Sequence, residues 1–377
     1  MIQAPRPTWI EIDTRAIEDN LQAARRRLQP GVKLIAVIKA NAYGHGVDIV
    51  APAVARGGAD MLAVACLSEA IALREIGITL PVLILGYTPP HHLGLALAHQ
   101  IQLTVYDDDV VQALQEVAMS EQKIAQVHVK VDTGMGRLGL LPEAVPAFLR
   151  RLQALSHVRV AGLFTHMAVA DEPNNPHTDL QLGRFRRLLG ELEALGLRPP
   201  LVHAANTATL LTRPDAHYDA VRLGIGLYGL APSPAVPLPR DFRPALTWKT
   251  TIAQVKTLPP GSTVGYGLTY RTQGQEQIAI IPVGYADGFR RAPGNWGEVL
   301  VHGRRARLVG RVSMDQSALD VTPIPNVRPG DEVVLIGMQG EECITAEEVA
   351  ARLGTINYEV VSAILARVPR LECRPAG

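Results

Sequence analysis

Short runs of β-branched and aliphatic residues alternate with helix-length stretches through the first two-thirds of the chain, the pattern of βα units around a parallel sheet. Such runs fall at Lys33–Lys39, Met61–Ala65, Val82–Leu85, Gln102–Val105, Val127–Val131, Val158–Phe164, Leu201–Ala204 and Ala220–Leu223. Eight βα units can close on themselves as a (β/α)8 TIM barrel, whereas a doubly wound sheet more often stops at five or six strands and carries a glycine-rich turn after the first. No GxGxxG follows Lys39. Past Leu230, the segment Ala231–Pro239 holds four prolines in nine residues, a composition that continues neither a helix nor a central strand. Beyond it, Thr247–Lys256, Ile278–Val283, Glu298–Val301, Ala306–Val312 and Glu332–Ile336 alternate with Gly/Pro/Asp turns, and Ala346–Leu353 and Tyr358–Ala366 read as short helices. The expected fold is therefore α/β: a (β/α)8 barrel over residues 1–243, then a mainly β domain over 244–377. The opening strand, Thr8–Ile12, fits either the barrel or the β domain.

Composition narrows the class without changing this picture. A chain of 377 residues suits two domains, and 47% apolar residues, 19% charged residues and a formal charge of +1 describe a soluble globular protein with no basic excess for nucleic acid. Arg25 to Arg27, the densest basic cluster, lies on a helical pattern and reads as a solvated face. The start, Met1–Trp9, has no apolar core of signal-peptide length and no run of 18 apolar residues occurs, so a cytoplasmic protein that engages no membrane is expected. Cys66, Cys343 and Cys373 lack CxxC or Cys/His spacing, which argues against a disulfide framework and a metal site.

In such a barrel, reactive groups sit at the carboxyl ends of the strands. The first run ends at Lys39, followed by a turn with Tyr43 and His45. A lysine at a strand end commonly snorkels to solvent, but one held among apolar neighbours loses hydration, and its neutral amine becomes available for Schiff-base chemistry. The fifth run delivers Lys130, then Asp132 and a glycine-rich turn to Arg137, whose fork suits a carboxylate or phenolate. The sixth ends at Thr165-His166, the seventh at His203-Ala-Ala-Asn206-Thr207 and the eighth at Arg222-Leu-Gly224-Ile225-Gly226. Loops after the last two strands are where these barrels bind phosphate, and Gly224–Gly226 offers unobstructed N–H groups there. In the β domain, Tyr266 lies between two glycines, Tyr285 follows Val283-Gly284, and Ser313-Met314-Asp315 forms a short polar turn.

Taken together, AVIKANAYGHG around Lys39, KVDTGMGRLG from Lys130, HAANTAT from His203, RLGIGLYG from Arg222, GYG around Tyr266, PVGYADG from Pro282, SMD at Ser313 and TINYEV from Thr355 resemble the bacterial alanine racemases, fold-type III enzymes that use pyridoxal 5′-phosphate. The resemblance runs from about Trp9 to Arg367. It implies racemisation of alanine by two bases: Lys39, which carries the cofactor, and Tyr266, supplied by the other subunit of a homodimer with shared sites. It further implies cofactor contacts from Tyr43, Asn206, Thr207, Gly224, Ile225 and Tyr358, with Arg222 at the pyridine nitrogen supported by His166. Arg137 and the Met314 N–H would meet the substrate carboxylate, and Lys130, Tyr285 and Asp315 would support the site. Thr207 stands where many relatives have Ser, keeping a hydroxyl, and Ser313 where many have Cys. Lys130 matches a lysine that is carbamylated in some relatives. A racemase of broader specificity or one acting on serine shares these motifs. A non-catalytic pyridoxal phosphate carrier would lack the β domain, and a decarboxylase of the same fold would carry a cysteine acid and a longer one. The physiological task would be D-alanine supply for peptidoglycan or alanine catabolism.

Overall fold

The computed structural model describes residues 6–374. Its first strand, β1 (Thr8–Asp13), precedes eight parallel strands: β2 (Lys33–Val37), β3 (Met61–Val64), β4 (Val82–Ile84), β5 (Gln102–Val105), β6 (Ala125–Lys130), β7 (Val158–Phe164), β8 (Leu201–His203) and β9 (Ala220–Leu223). These close into a barrel, sealed by β2 against β9 with Ile35 opposite Arg222. Every residue of β3, β4, β8 and β9 is buried, because packed side chains fill the inside and helices cover the outside. Helix starts follow local chemistry: the Asp107 carboxylate accepts the N–H groups of Asp109 and Val110 ahead of the helix Asp108–Ser120. Among the described residues no helix is long and apolar enough to cross a membrane.

The barrel interior is not wholly apolar. His128 on β6 and His203 at the end of β8 are fully buried, their rings joined Nδ1 to Nε2 at 3.0 Å. Room for the first ring comes from Gly162, where a Cβ would lie 2.4 Å from His128 Nδ1, and the β6–β7 register shifts between Val127 and His128 to put the two residues opposite each other. Arg222 fixes the tautomers. Its guanidinium only donates, so His203 Nδ1 accepts at 2.8 Å, its Nε2–H donates to His128 Nδ1, and His128 Nε2–H donates to Gln102 Oε1 at 2.9 Å.

The described residues divide into two compact units, one made of Ala16–Ala42 and Val50–Arg243, the other of the residues up to Arg15, Tyr43–Ile49 and those from Pro244 onward. The second unit centres on a ten-stranded sheet. Its strands after the barrel are β10 (Leu246–Thr251), β11 (Gln254–Leu258), the short pair β12 (Thr263–Val264) and β13 (Tyr270–Arg271), β14 (Glu276–Ile281), β15 (Glu298–Val301), β16 (Arg304–Val309), β17 (Ser317–Asp320), β18 (Glu332–Gln339), β19 (Glu342–Ile344) and β20 (Arg370–Cys373). The sheet runs β11-β14-β17-β16-β15-β18-β10-β1-β20, with β19 off this path and paired to β18, so β1 joins this sheet, antiparallel to β10 and parallel to β20. Trp248, Phe289 and Trp296 stack in its core with ring centroids 4.8 to 6.0 Å apart.

Two elements differ from the sequence reading. Thr247–Lys256 is two strands, because the chain changes partners at Ile252–Ala253: β10 pairs with β1 and β18, whereas β11 pairs with β14. The last helix spans Asn357–Ser362 and stops short of Ala366, since the carbonyls of Ile364, Leu365 and Val368 turn to the Arg370 guanidinium, each at 2.7 Å.

Burial, and then the Arg222 charge, push the His128 imidazole down to about 3, and His203 also lies well below its ordinary 6.5. An unfolded chain takes up these protons near pH 6.5 and the barrel does not. The stabilisation is therefore complete above that pH and is lost as the pH falls toward the folded values, by about 1.4 kcal/mol per pH unit for each histidine held neutral. Urea unfolding should show a lower midpoint at about pH 5 than at about pH 7, with a shallower dependence in His128→Gln; equal midpoints at both pH values would refute the buried neutral pair.

Candidate active site

Lys39 leaves the end of β2 at the barrel mouth, and the four residues after it, Ala40 to Tyr43, all have φ of 53–54°. Left-handed backbone costs an L-residue roughly 1–2 kcal/mol, so this turn persists only because its surroundings impose it. A bond from the Ala42 N–H to Ile38 O at 3.0 Å helps close it. Burial lowers the Lys39 amine, the Arg137 guanidinium lowers it further, and the Glu69 carboxylate opposes both.

Lys130 ends β6, 6% exposed, with Nζ 4.4 Å from the centroid of the Phe164 ring. Its amine falls to about 7 through burial, then through Arg222 and Arg137, against a counter-pull from Asp132. Asp132 itself organises the loop beyond: Oδ1 accepts the N–H groups of Gly134, Met135 and Gly136, and Oδ2 that of Arg137 at 2.9 Å. Burial works to raise this carboxyl, yet the four backbone donors hold it below its usual range. The loop that presents Arg137 is thus wrapped around one anion.

Arg222 is buried and, among the described residues, binds no carboxylate. Nη1 donates to His203 Nδ1 and His203 O, and Nη2 to Thr165 O, Ala204 O and, at 3.2 Å, His166 Nδ1. Burial brings the guanidinium down to about 9 and, with the charge of Arg222, keeps His166 neutral far below its ordinary range. Its Nε–H has no hydrogen-bond partner among the described residues. Beside it, Thr207 Oγ1 accepts the N–H groups of Gly224 at 3.0 Å and Gly226 at 3.3 Å. A Cβ on Gly226 would come within 2.7 Å of Thr207 Cγ2, so only glycine admits this approach. Asn206 holds the cap of the helix Thr207–Thr212, its carboxamide oxygen accepting Thr209 N–H and Oγ1–H.

These barrel residues suit pyridoxal 5′-phosphate. A desolvated amine can take the aldehyde, an uncommitted Arg Nε–H can meet an acceptor nitrogen, and a mouth with Lys39, Lys130, Arg137 and Arg222 favours an anion. The structure thus brings together Lys39, Lys130, Arg137, His166, Asn206, Thr207, Arg222, Gly224 and Ile225 on one unit.

The other unit holds the remaining residues singled out from sequence. Tyr43 and Tyr358 face each other with ring centroids 6.1 Å apart, and burial raises the Tyr43 phenol to about 12. Tyr266 is 67% exposed on a turn between Gly265 and Gly267, at φ 76° and 71°, clipped by the β12–β13 pair. The Tyr285 N–H donates to Ser313 O and the Ala286 N–H to Met314 O, both at 3.0 Å, so the Tyr285 turn and the Met314 loop form one piece. Asp315 is held by Arg367, which also reaches the fully buried Asp287 at 3.0 Å. Sequence reasoning gave Glu69, Asp287, Arg367 and His128 no role; their contacts join separate segments and leave no local motif.

Two family models match the chain: the alanine racemase N-terminal domain over residues 12–232 and the alanine racemase C-terminal domain over 245–372. The alanine racemase of Symbiobacterium thermophilum is 49% identical over 97% of both chains, and that of Desulfovibrio desulfuricans is 44% identical over 98% of this chain and 99% of its own. Among solved structures, the alanine racemase of Clostridium difficile 630 superposes with a TM-score of 0.93 at 39% identity, covering 99% of this chain and 97% of that one. The histidine racemase of Leuconostoc mesenteroides superposes with a TM-score of 0.91 at 31% identity, covering 99% and 100%. With both domain models in order and matches across nearly its whole length, the chain belongs to the alanine racemase family of isomerases.

Proposed function

We propose that this chain interconverts L- and D-alanine with pyridoxal 5′-phosphate, Lys39 serving one face of the substrate and Tyr266 of a second copy serving the other. The observation that carries the reading is the desolvated Lys39 amine at a strand end, in the same barrel mouth as an Arg222 whose Nε–H is uncommitted. The names of full-length relatives at 44–49% identity favour alanine as substrate.

When bound, the cofactor draws electrons from the amino acid attached to it, so that the Cα–H becomes acidic enough to move. Lys39 Nζ, its pKa lowered by burial and by Arg137, takes or returns that proton on one face. A single base would restore the original configuration, so inversion needs a second proton carrier opposite, and the exposed Tyr266 hydroxyl fills that role from the partner copy. Arg137 and the Met314 N–H would orient the carboxylate, Thr207, Gly224, Ile225, Tyr43 and Tyr358 would hold the phosphate, and Asn206 keeps the Thr207 helix capped. Arg222 would donate its Nε–H to the pyridine nitrogen, with His166 steadying the guanidinium at Nη2. Even at about 9, a guanidinium keeps its proton, which limits the electron demand on the substrate and disfavours transamination. Tyr285 lines the entrance, and Asp315, tied to Arg367, fixes the loop that presents Met314. The reading includes a cytoplasmic homodimer that supplies D-alanine for peptidoglycan or serves alanine catabolism.

Lys130 suits carbamylation. Its amine, near 7 and flanked by Arg222 and Arg137, is neutral often enough to attack carbon dioxide, releasing a proton and leaving an anion among cations.

Purified protein with pyridoxal 5′-phosphate should turn L-alanine into D-alanine, and chiral chromatography should show serine and histidine turning over more slowly; faster turnover of either would reassign the substrate. Tyr266→Phe should lose roughly 10²–10⁴-fold in turnover with the cofactor's visible absorbance retained, whereas wild-type turnover would remove Tyr266 from the mechanism. With ¹³C-bicarbonate, a carbamate carbon resonance should appear and vanish in Lys130→Gln; its absence from the wild type would rule the modification out.

A further inference from the structure

We propose that Glu69 is a positioning residue for Lys39, its carboxylate tying the backbone just after Lys39 to the neighbouring strand end and setting a negative charge beside the amine. The proposal deepens the role given to Lys39 and rests on that reading.

The geometry begins with the left-handed turn. Ala40 to Tyr43 all take positive φ, a conformation that none of these residues favours, so the direction in which Lys39 leaves β2 depends on what holds the turn. Glu69 supplies a hold. It is the third residue of the helix Leu67–Glu75, and its side chain reaches back over the strand ends, with Oε1 accepting the Ala40 N–H at 2.5 Å and Oε2 the Ala65 N–H at 2.8 Å. β2 and β3 are paired up to Val37 and Ala63, so Ala40 and Ala65 lie just past the last paired residues. One carboxylate therefore continues the β2–β3 pairing after the strands have stopped hydrogen-bonding to each other.

A first-turn glutamate that accepted only the Ala65 N–H would be a helix-start contact and nothing more. The second oxygen, on the residue next to Lys39, sets Glu69 apart. So does its charge. The surroundings of Lys39 are otherwise cationic: Arg137 presses on it directly, and it shares the mouth with Lys130 at the end of β6 and Arg222 on β9, beside a neutral His166. Glu69 is the carboxylate that favours its protonated form. An amine that must alternately hold and release a proton needs both influences, since cations and burial alone would leave it too weak a base to take the proton up.

The acetylation arm of the test reads the amine without cofactor or turnover, so it can fail while racemisation stands, and the reverse. The full-length protein, freed of cofactor, is trace-acetylated with acetic anhydride across a pH series, and acetylation at Lys39 is followed by peptide mass spectrometry with the exposed Lys123 and Lys256 as internal references. Glu69→Gln keeps the size of the side chain and removes the charge. It should move the Lys39 midpoint to lower pH and raise its acetylation several-fold at a fixed pH below the wild-type midpoint, with both reference lysines unchanged. Glu69→Asp retains the charge on a shorter arm that cannot reach both N–H groups; it should keep the midpoint close to wild type while the holoenzyme loses turnover. A Lys39 midpoint in Glu69→Gln equal to that of the wild type, or an Asp variant that shifts it as far as Gln does, would overturn the proposal and leave Glu69 a helix-start contact.

Discussion

The site depends on cations crowded at the ends of parallel strands with too few anions beside them. Arg222 is the extreme case, a buried guanidinium whose Nη donors meet carbonyls and imidazoles and, among the described residues, no carboxylate. Asp132 is engaged by four backbone N–H groups, so its charge counters Lys130 only in part. Burial, and then the positive field of these cations, lowers the two amines and keeps His128, His166 and His203 neutral. The charge imbalance and the chemistry have the same origin.

Holding such a guanidinium in one place requires acceptors of fixed polarity, and the barrel core provides them. Because Arg222 can only donate, each imidazole in the row His203–His128 must present a lone pair toward it and a proton away from it, ending at Gln102. A protonated ring anywhere in the row would set two donors face to face. The chain is self-consistent in one protonation state alone, and it fits only where Gly162 leaves the space. A core that looks costly for its polarity thus fixes the direction in which Arg222 points.

Much of this was legible in the sequence because periodicity and strand-end position are local signals. The eight apolar runs correspond to the eight barrel strands, and Lys39, Lys130, His166 and Arg222 stood out by falling at or just after their ends. The lone tyrosine between two glycines marked an exposed turn for the same reason. What was missed is non-local. Thr247–Lys256 reads as one strand until its halves choose different neighbours, and Tyr358–Ala366 reads as helix until Arg370, from a later strand, claims the carbonyls. No propensity announces four left-handed residues in Ala-Asn-Ala-Tyr; alanine in particular argues for an ordinary helix there.

That conflict between propensity and structure falls beside the lysine to which the proposed reaction assigns one proton transfer. The turn Ala40–Tyr43 starts in one compact unit and ends in the other, and each unit holds its own end. On the barrel side the hold is Glu69 on Ala40; in the second unit it is the Arg370 Nε–H donated to Gly44 O at 3.0 Å, with Gly44 so close to Val361 that a Cβ would lie 2.1 Å from its carbonyl oxygen. At roughly 1–2 kcal/mol per left-handed residue, the turn stores several kcal/mol that relaxation to right-handed backbone would release. The strain is tolerable only while such anchors persist, so the backbone beside one amine is set by contacts from distant segments and not by its own sequence.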